Sequence, residues 1–257
     1  MKEIQYLGQN GFCVRWESIV IVFDLYLSDC VFEVTGNGVR NYAPPVRASE
    51  MTNINYYFIS HEHLDHMDPK TIKTVAEVSP ETVFICPFPL IYMLENMGVK
   101  REKIIGAKAG CPFEISEDIR VIPIPEKHED YILLDGEHAV LGYVLEKDDT
   151  RFYHAGDVIA DKELAETLKS CGRMNVMFVP INGHDWKRYS EDIMGNMNYR
   201  EALDLCAYVG TDLVIPMHYD LFENNTDNPA FFVDYLYRKY PKQKFKMFMP
   251  GENIYLE

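Results

Sequence analysis

Short apolar runs alternate with amphipathic stretches along most of this chain. Runs of strand length fall at residues 4–7, 12–16, 19–23, 54–59, 82–86, 119–124, 140–145, 151–153, 176–179 and 213–216, and strands dominate the early part. Between them, apolar positions recur with helical spacing at 69–78, 89–97, 161–170, 199–209 and 229–239. That order predicts helices layered on sheets, an α/β class. Asp68-Pro69 marks one helix start sharply, with Asp68 as N-cap and Pro69 at the first helical position.

No repeat of about 20 to 50 residues, low-complexity tract or Gly/Ser linker breaks the pattern, so a single domain over 1–257 is the expectation. The longest stretch without periodicity, about 28–53, contains Gly36, Gly38, Pro44 and Pro45 and reads as a surface loop shaping a cleft.

Composition narrows the partners. The chain is 47% hydrophobic and 25% charged, ordinary globular material. Its formal charge of −15 repels phosphate backbones and anionic membranes, which argues against nucleic acid and membrane surfaces as partners. A site holding divalent cations would still be locally positive and attract a small anionic metabolite. The six cysteines, at 13, 30, 86, 111, 171 and 206, form no CxxC pair and read as reduced core thiols. The first residues enter a strand pattern without a basic or apolar leader, and no apolar stretch approaches the roughly 18 residues of a membrane helix. A cytoplasmic protein is the expectation.

The sharpest chemical feature is HEHLDH at 61–66, which follows the apolar run 54–59 and precedes the Asp68-Pro69 helix start. In extended backbone, residues two apart point the same way, so His61, His63 and Asp65 converge and the turn brings His66 beside them. Three histidines and two acids in six residues have little use in a turn beyond binding a cation. Hydrolysis by a divalent ion requires further ligands and an open position. His128, Asp157 and His218 each follow an apolar run. If those strands end on one edge, all seven residues line one cleft. Taken singly, His128 or His218 is more often a packed histidine, and Gly156-Asp157 is ordinary turn chemistry; the HEHLDH cluster shifts that balance.

The order HEHLDH, His128, Asp157, His218 resembles the ligand series of metallo-β-lactamase fold hydrolases, and Val22-Phe23-Asp24 is similar to that fold's early strand ending in a supporting aspartate. The resemblance implies a four-layer αββα sandwich. It also implies that His61, His63 and His128 bind one metal, that Asp65, His66 and His218 bind another, and that Asp157 bridges them. The stretches 153–157, 180–183, 195–202 and 216–220 look closest to the L-ascorbate-6-phosphate lactonase group, with His184 standing where that group has Arg and Leu25 where it has Pro. Such lactonases are cytoplasmic, use manganese and open a phosphorylated sugar-acid lactone. The resemblance further implies a homo-oligomer.

The expected chemistry is a water ionised by one or two divalent ions attacking an ester or lactone carbonyl. Asp157 holds the ions together, and Asp65 is both ligand and proton acceptor. Manganese and zinc both suit imidazole with carboxylate. His154 is a candidate support for the site. Asn182, Lys187, Arg188, Arg200 and Tyr219 are candidate substrate contacts. The competing readings are a phosphodiesterase on the same scaffold and an inactive metal-binding module; a redox di-iron role is disfavoured, because His63 stands where such relatives carry glutamate.

Overall fold

Strands at Lys2–Gly8 (β1), Gly11–Trp16 (β2) and Ile19–Phe23 (β3) open the computed structural model as an antiparallel meander. The structure describes residues 2–116 and 118–256, and their contacts gather into two compact units. The first unit holds residues up to 107 together with 221–224 and the segment from 248 onward. After β3 the chain adds Tyr56–Phe58 (β4), Val83–Pro87 (β5) and Ile104–Ala107 (β6), each parallel to its predecessor. The strand Asn253–Leu256 pairs antiparallel with the outer edge of β1, completing a mixed seven-stranded sheet.

Parallel neighbours need crossovers, and these supply the unit's helices. The segment between β3 and β4 carries the helix Cys30–Thr35 (α1), not irregular chain alone as its lack of periodicity suggests. Pro69–Val78 (α2) begins where expected. The Asp68 side chain accepts bonds from the backbone N–H of Lys70 at 3.0 Å and Thr71 at 3.2 Å, and it also accepts from Ser28 N–H at 3.1 Å. One buried carboxylate thus caps α2 and pins the start of the 28–53 segment. Ile91–Asn96 (α3) follows a short 3-10 turn at Phe88–Leu90.

The second unit covers 108–220 and 225–247. Its strands are Phe113–Ser116 (β7), Ile119–Pro125 (β8), the short pair Leu133–Leu134 (β9) and Glu137–His138 (β10), Leu141–Lys147 (β11), Thr150–His154 (β12), Met174–Pro180 (β13), Thr211–Met217 (β14) and Lys244–Phe245 (β15). Apart from β9 and β10 they form a second seven-stranded sheet in the order β15, β14, β13, β12, β11, β8, β7. The strands β12 to β15 run parallel, while β11 opposes both β12 and β8. Therefore β8 points the same way as β12. Lys162–Ser170 (α4), Trp186–Ser190 (α5), Tyr199–Val209 (α6) and Pro229–Lys239 (α7) complete the unit. Asparagine caps α6 and α7: Asn198 with Glu201 forms a capping box, and Asn228 precedes Pro229.

Two mixed sheets with helices are thus present, the α/β class read from the pattern. No helix among the described residues is long and apolar enough to cross a membrane. Of the six thiols, Cys13, Cys30, Cys86 and Cys206 are buried, whereas Cys111 is exposed and Cys171 partly so, because both lie in turns outside the core elements. Burial raises the Cys13 thiol to about 11 and the Cys206 thiol to about 12, so both stay protonated and inert. Replacement of Asp68 by Ala removes the α2 cap and strands buried N–H groups. It is expected to lower unfolding free energy by about 1–3 kcal/mol in urea titrations.

Candidate metal centre

In the first unit, β3 and β4 end side by side, and the chain leaving each carries the chemistry. Asp24, directly after β3, has a φ of 40° that a non-glycine residue rarely adopts. Its backbone N–H bonds to Phe58 O at 3.0 Å, which fixes it against the end of β4. The carboxylate then accepts from Ser60 N–H at 2.8 Å and Ser60 Oγ at 2.6 Å, and it meets His66 Nδ1 at 2.8 Å. All three residues are buried.

An ionised carboxylate only accepts, so Asp24 places the His66 proton on Nδ1 and leaves the lone pair on Nε2. Ser60 gives its own proton to Asp24, and His61 Nδ1, 2.9 Å from Ser60 Oγ, therefore donates to it. His61 also presents Nε2 as its acceptor nitrogen. The turn closes through bonds from His66 N–H at 2.9 Å and Met67 N–H at 2.7 Å to His63 O. It sets the His61 ring edge-on to that of His63 with centroids 4.5 Å apart, and tilted against that of His66 at 4.1 Å. Asp65 Oδ2 lies 3.6 Å from His66 Nε2 and accepts from Gln9 Nε2 at 2.8 Å. Gln9 sits in the β1–β2 hairpin turn with a φ of 55°.

In the second unit, the common direction of β8, β12, β13 and β14 sends four C-terminal ends to one edge. His128 follows β8, Asp157 follows β12, Asn182 follows β13 and His218 follows β14. His128 Nε2 stands 3.6 Å and His218 Nε2 3.3 Å from the same oxygen, Asp157 Oδ2. All three are buried, and His218 has a φ of 59°. Two imidazoles facing one carboxylate oxygen through Nε2 form a donor set that suits a divalent cation. The two histidines and the aspartate of the second unit thus lie together, and His61, His63, Asp65 and His66 lie together in the first.

The remaining candidates are placed unevenly. Tyr219 is buried, and burial with the Asp220 charge pushes its hydroxyl well above the ordinary tyrosine range. Asn182 is buried, donates to Asn225 Oδ1 at 2.8 Å and accepts from Asn196 Nδ2 at 3.1 Å. Arg188 pairs with Asp185 and donates to Asn225 Oδ1 at 3.2 Å and Thr226 O at 2.7 Å, so its guanidinium braces its own chain. Lys187 is exposed at α5, and Arg200 is exposed against the Tyr199 ring. His154 is buried at the end of β12, where its Nδ1 accepts from Gly156 N–H at 3.3 Å and shapes the turn into Asp157. Gln9 and Ser60 escape sequence reasoning, because an isolated Gln in a hairpin and a Ser before a histidine carry no compositional signal.

Comparison with known proteins agrees with this geometry. A family model described as a beta-lactamase superfamily domain matches residues 25–219. A UPF0173 metal-dependent hydrolase of Caldivirga maquilingensis is 24% identical over 258 residues, covering 100% of this chain and 99% of the relative. An N-acyl-phosphatidylethanolamine-hydrolyzing phospholipase D 1 of Caenorhabditis elegans is 22% identical across 86% of this chain and 64% of its own length. Among solved structures, Igni18, a metallo hydrolase from the archaeon Ignicoccus hospitalis, superposes with a TM-score of 0.74 at 21% identity, covering 100% of this chain and 98% of that one.

Because Asp24 sets the tautomer of His66 and, through Ser60, of His61, Asp24→Ala is expected to weaken divalent-cation binding about 10–100-fold. Competition against a chromophoric chelator measures this directly.

Proposed function

The chain belongs to the metallo-β-lactamase superfamily and is a metal-dependent hydrolase with a histidine and aspartate cluster able to bind metal, and from that premise we propose that it hydrolyses the lactone or ester bond of a small anionic substrate. The residues that would hold divalent ions are His61, His63, Asp65 and His66 of the first unit and His128, Asp157 and His218 of the second. Manganese or zinc suits this mixture of imidazole and carboxylate. When bound, such ions supply Lewis acidity that ionises water near neutral pH and polarises a carbonyl oxygen.

The chain's own residues do the rest. Asp24 and Ser60 keep His61 and His66 in the ligand tautomer. Gln9 orients Asp65, which takes the proton released as water attacks. Tyr219, held neutral by burial, offers an O–H to the substrate across the working pH range. Asn182 and Asn225 present amides braced by Arg188, a rigid polar floor suited to hydroxyls and a carboxylate.

The observation that carries this reading is the buried amide pair Asn182–Asn196 on the same strand edge as Asp157 and His218. Burying amides is costly unless they are hydrogen-bonded or used, and the Oδ1 of the buried Asn196 has no hydrogen-bond partner among the described residues. The same stretches, 180–183, 195–202 and 216–220, resemble the L-ascorbate-6-phosphate lactonases, which makes a phosphorylated sugar-acid lactone the first substrate to test. A phosphodiester is the second reading, favoured by the similarity to the nematode phospholipase D.

Chelator-stripped protein reloaded with manganese or zinc is expected to open L-ascorbate 6-phosphate or a simpler lactone, with turnover abolished by rechelation. Activity on bis-p-nitrophenyl phosphate without any lactonase activity would instead establish the phosphodiester reading.

A further inference from the structure

Glu126 lies one residue past the end of β8 and is almost fully buried. Its carboxylate does not point to solvent. It crosses over β11 and accepts a hydrogen bond at Oε1 from the hydroxyl of Tyr153, a fully buried residue of β12. The crossing is possible because β11 carries Gly142 at that point, where any Cβ would overlap the Glu126 carboxylate. Three strands are thus stitched together by one side chain lying over a glycine window.

Position gives the stitch its meaning. Glu126 stands two residues before His128, and Tyr153 stands four before Asp157. The outgoing loops are tied a second time, by Ile159 N–H donating to Lys127 O at 2.8 Å, and their surface ends are joined by Lys127 and Asp161 at 3.5 Å. Glu126 N–H also bonds to Val140 O at 3.2 Å, fixing its backbone to the start of β11. Burying a carboxylate costs several kcal/mol. An apolar pair would pack the same three strands without that cost, so the acid implies a demand on geometry beyond packing.

We propose that the Glu126–Tyr153 pair, seated over Gly142, is a positioning device that sets the spacing between His128 and Asp157 and so tunes the cation site they share. This rests on the metal assignment given above. Glu126 touches neither substrate nor ion in this scheme; it acts through the two loops that carry the ligands. Because the demand is for a bonded acceptor in a fixed place, the amide of Gln satisfies it and a methyl group does not.

The test measures zinc affinity of stripped full-length protein by chelator competition, together with the visible absorption of the cobalt-loaded form and the melting temperature of the metal-free form. Wild type and Glu126→Gln are expected to bind zinc within about threefold of each other. Glu126→Ala and Tyr153→Phe are expected to bind about 10–100-fold more weakly, with altered cobalt bands. If Glu126→Ala does not fold, Tyr153→Phe, which removes one oxygen, decides the matter. Wild-type zinc affinity and cobalt spectrum in Tyr153→Phe overturn the proposal, whatever the melting temperature. Failure of the wild-type protein to bind any divalent ion overturns the metal assignment itself, a result distinguishable from the first.

Discussion

The bond between the Asp24 carboxylate and His66 Nδ1 is the contact on which the first unit's chemistry depends. It spans 42 residues of chain and lies wholly inside the protein, at 2.8 Å. Remove the carboxylate and His66 Nδ1 is left facing Ser60 Oγ at 3.3 Å and Asn10 Nδ2 at 3.5 Å, neither an obligate acceptor, and the Ser60 hydroxyl loses the acceptor that makes it receive from His61. One acid thus orders two histidines, directly and by relay. That leverage explains why a strained backbone is tolerated there, since the φ of 40° at Asp24 is what turns the side chain across to Ser60.

The sheets supply the coarser constraint. Parallel strands send their C-terminal ends to a common edge, so residues that follow different strands become neighbours without any local sequence relation. His128, Asp157 and His218 are brought together by this rule alone. The positive φ at His218 repeats the pattern seen at Asp24, a polar side chain turned back sharply at the instant its strand stops.

How legible this was depends on where the information sits. Helices 69–78, 199–209 and 229–239 could be read from their apolar spacing, the first also from Asp68-Pro69, while the caps at Asn198 with Glu201 and at Asn228 emerge from the structure. The helix Cys30–Thr35 and the strands Ile104–Ala107, Phe113–Ser116, Lys244–Phe245 and Asn253–Leu256 were not visible. They are short, and distant partners define them: Ile104–Ala107 is a strand because it pairs with β5, and Gly106 interrupts its apolar run. The same division runs through the site. Histidines and acids placed after apolar runs announce themselves, whereas Gln9 matters only because a residue 56 positions away approaches it. Arg188, a basic side chain expected to face a ligand, is turned to Asp185, Asn225 and Thr226, since a nearby carboxylate and two fixed oxygens outcompete solvent for its five donors.

The pairing of β1 with Asn253–Leu256 bears on how the polypeptide is made. β1 is made long before the strand that covers its outer edge, so until Asn253–Leu256 arrives the first sheet presents a row of unsatisfied amides. Closure of that sheet is a long-range event, and contacts of this span slow the search for the native state. An open edge of this kind invites cross-strand association for as long as its partner strand is missing.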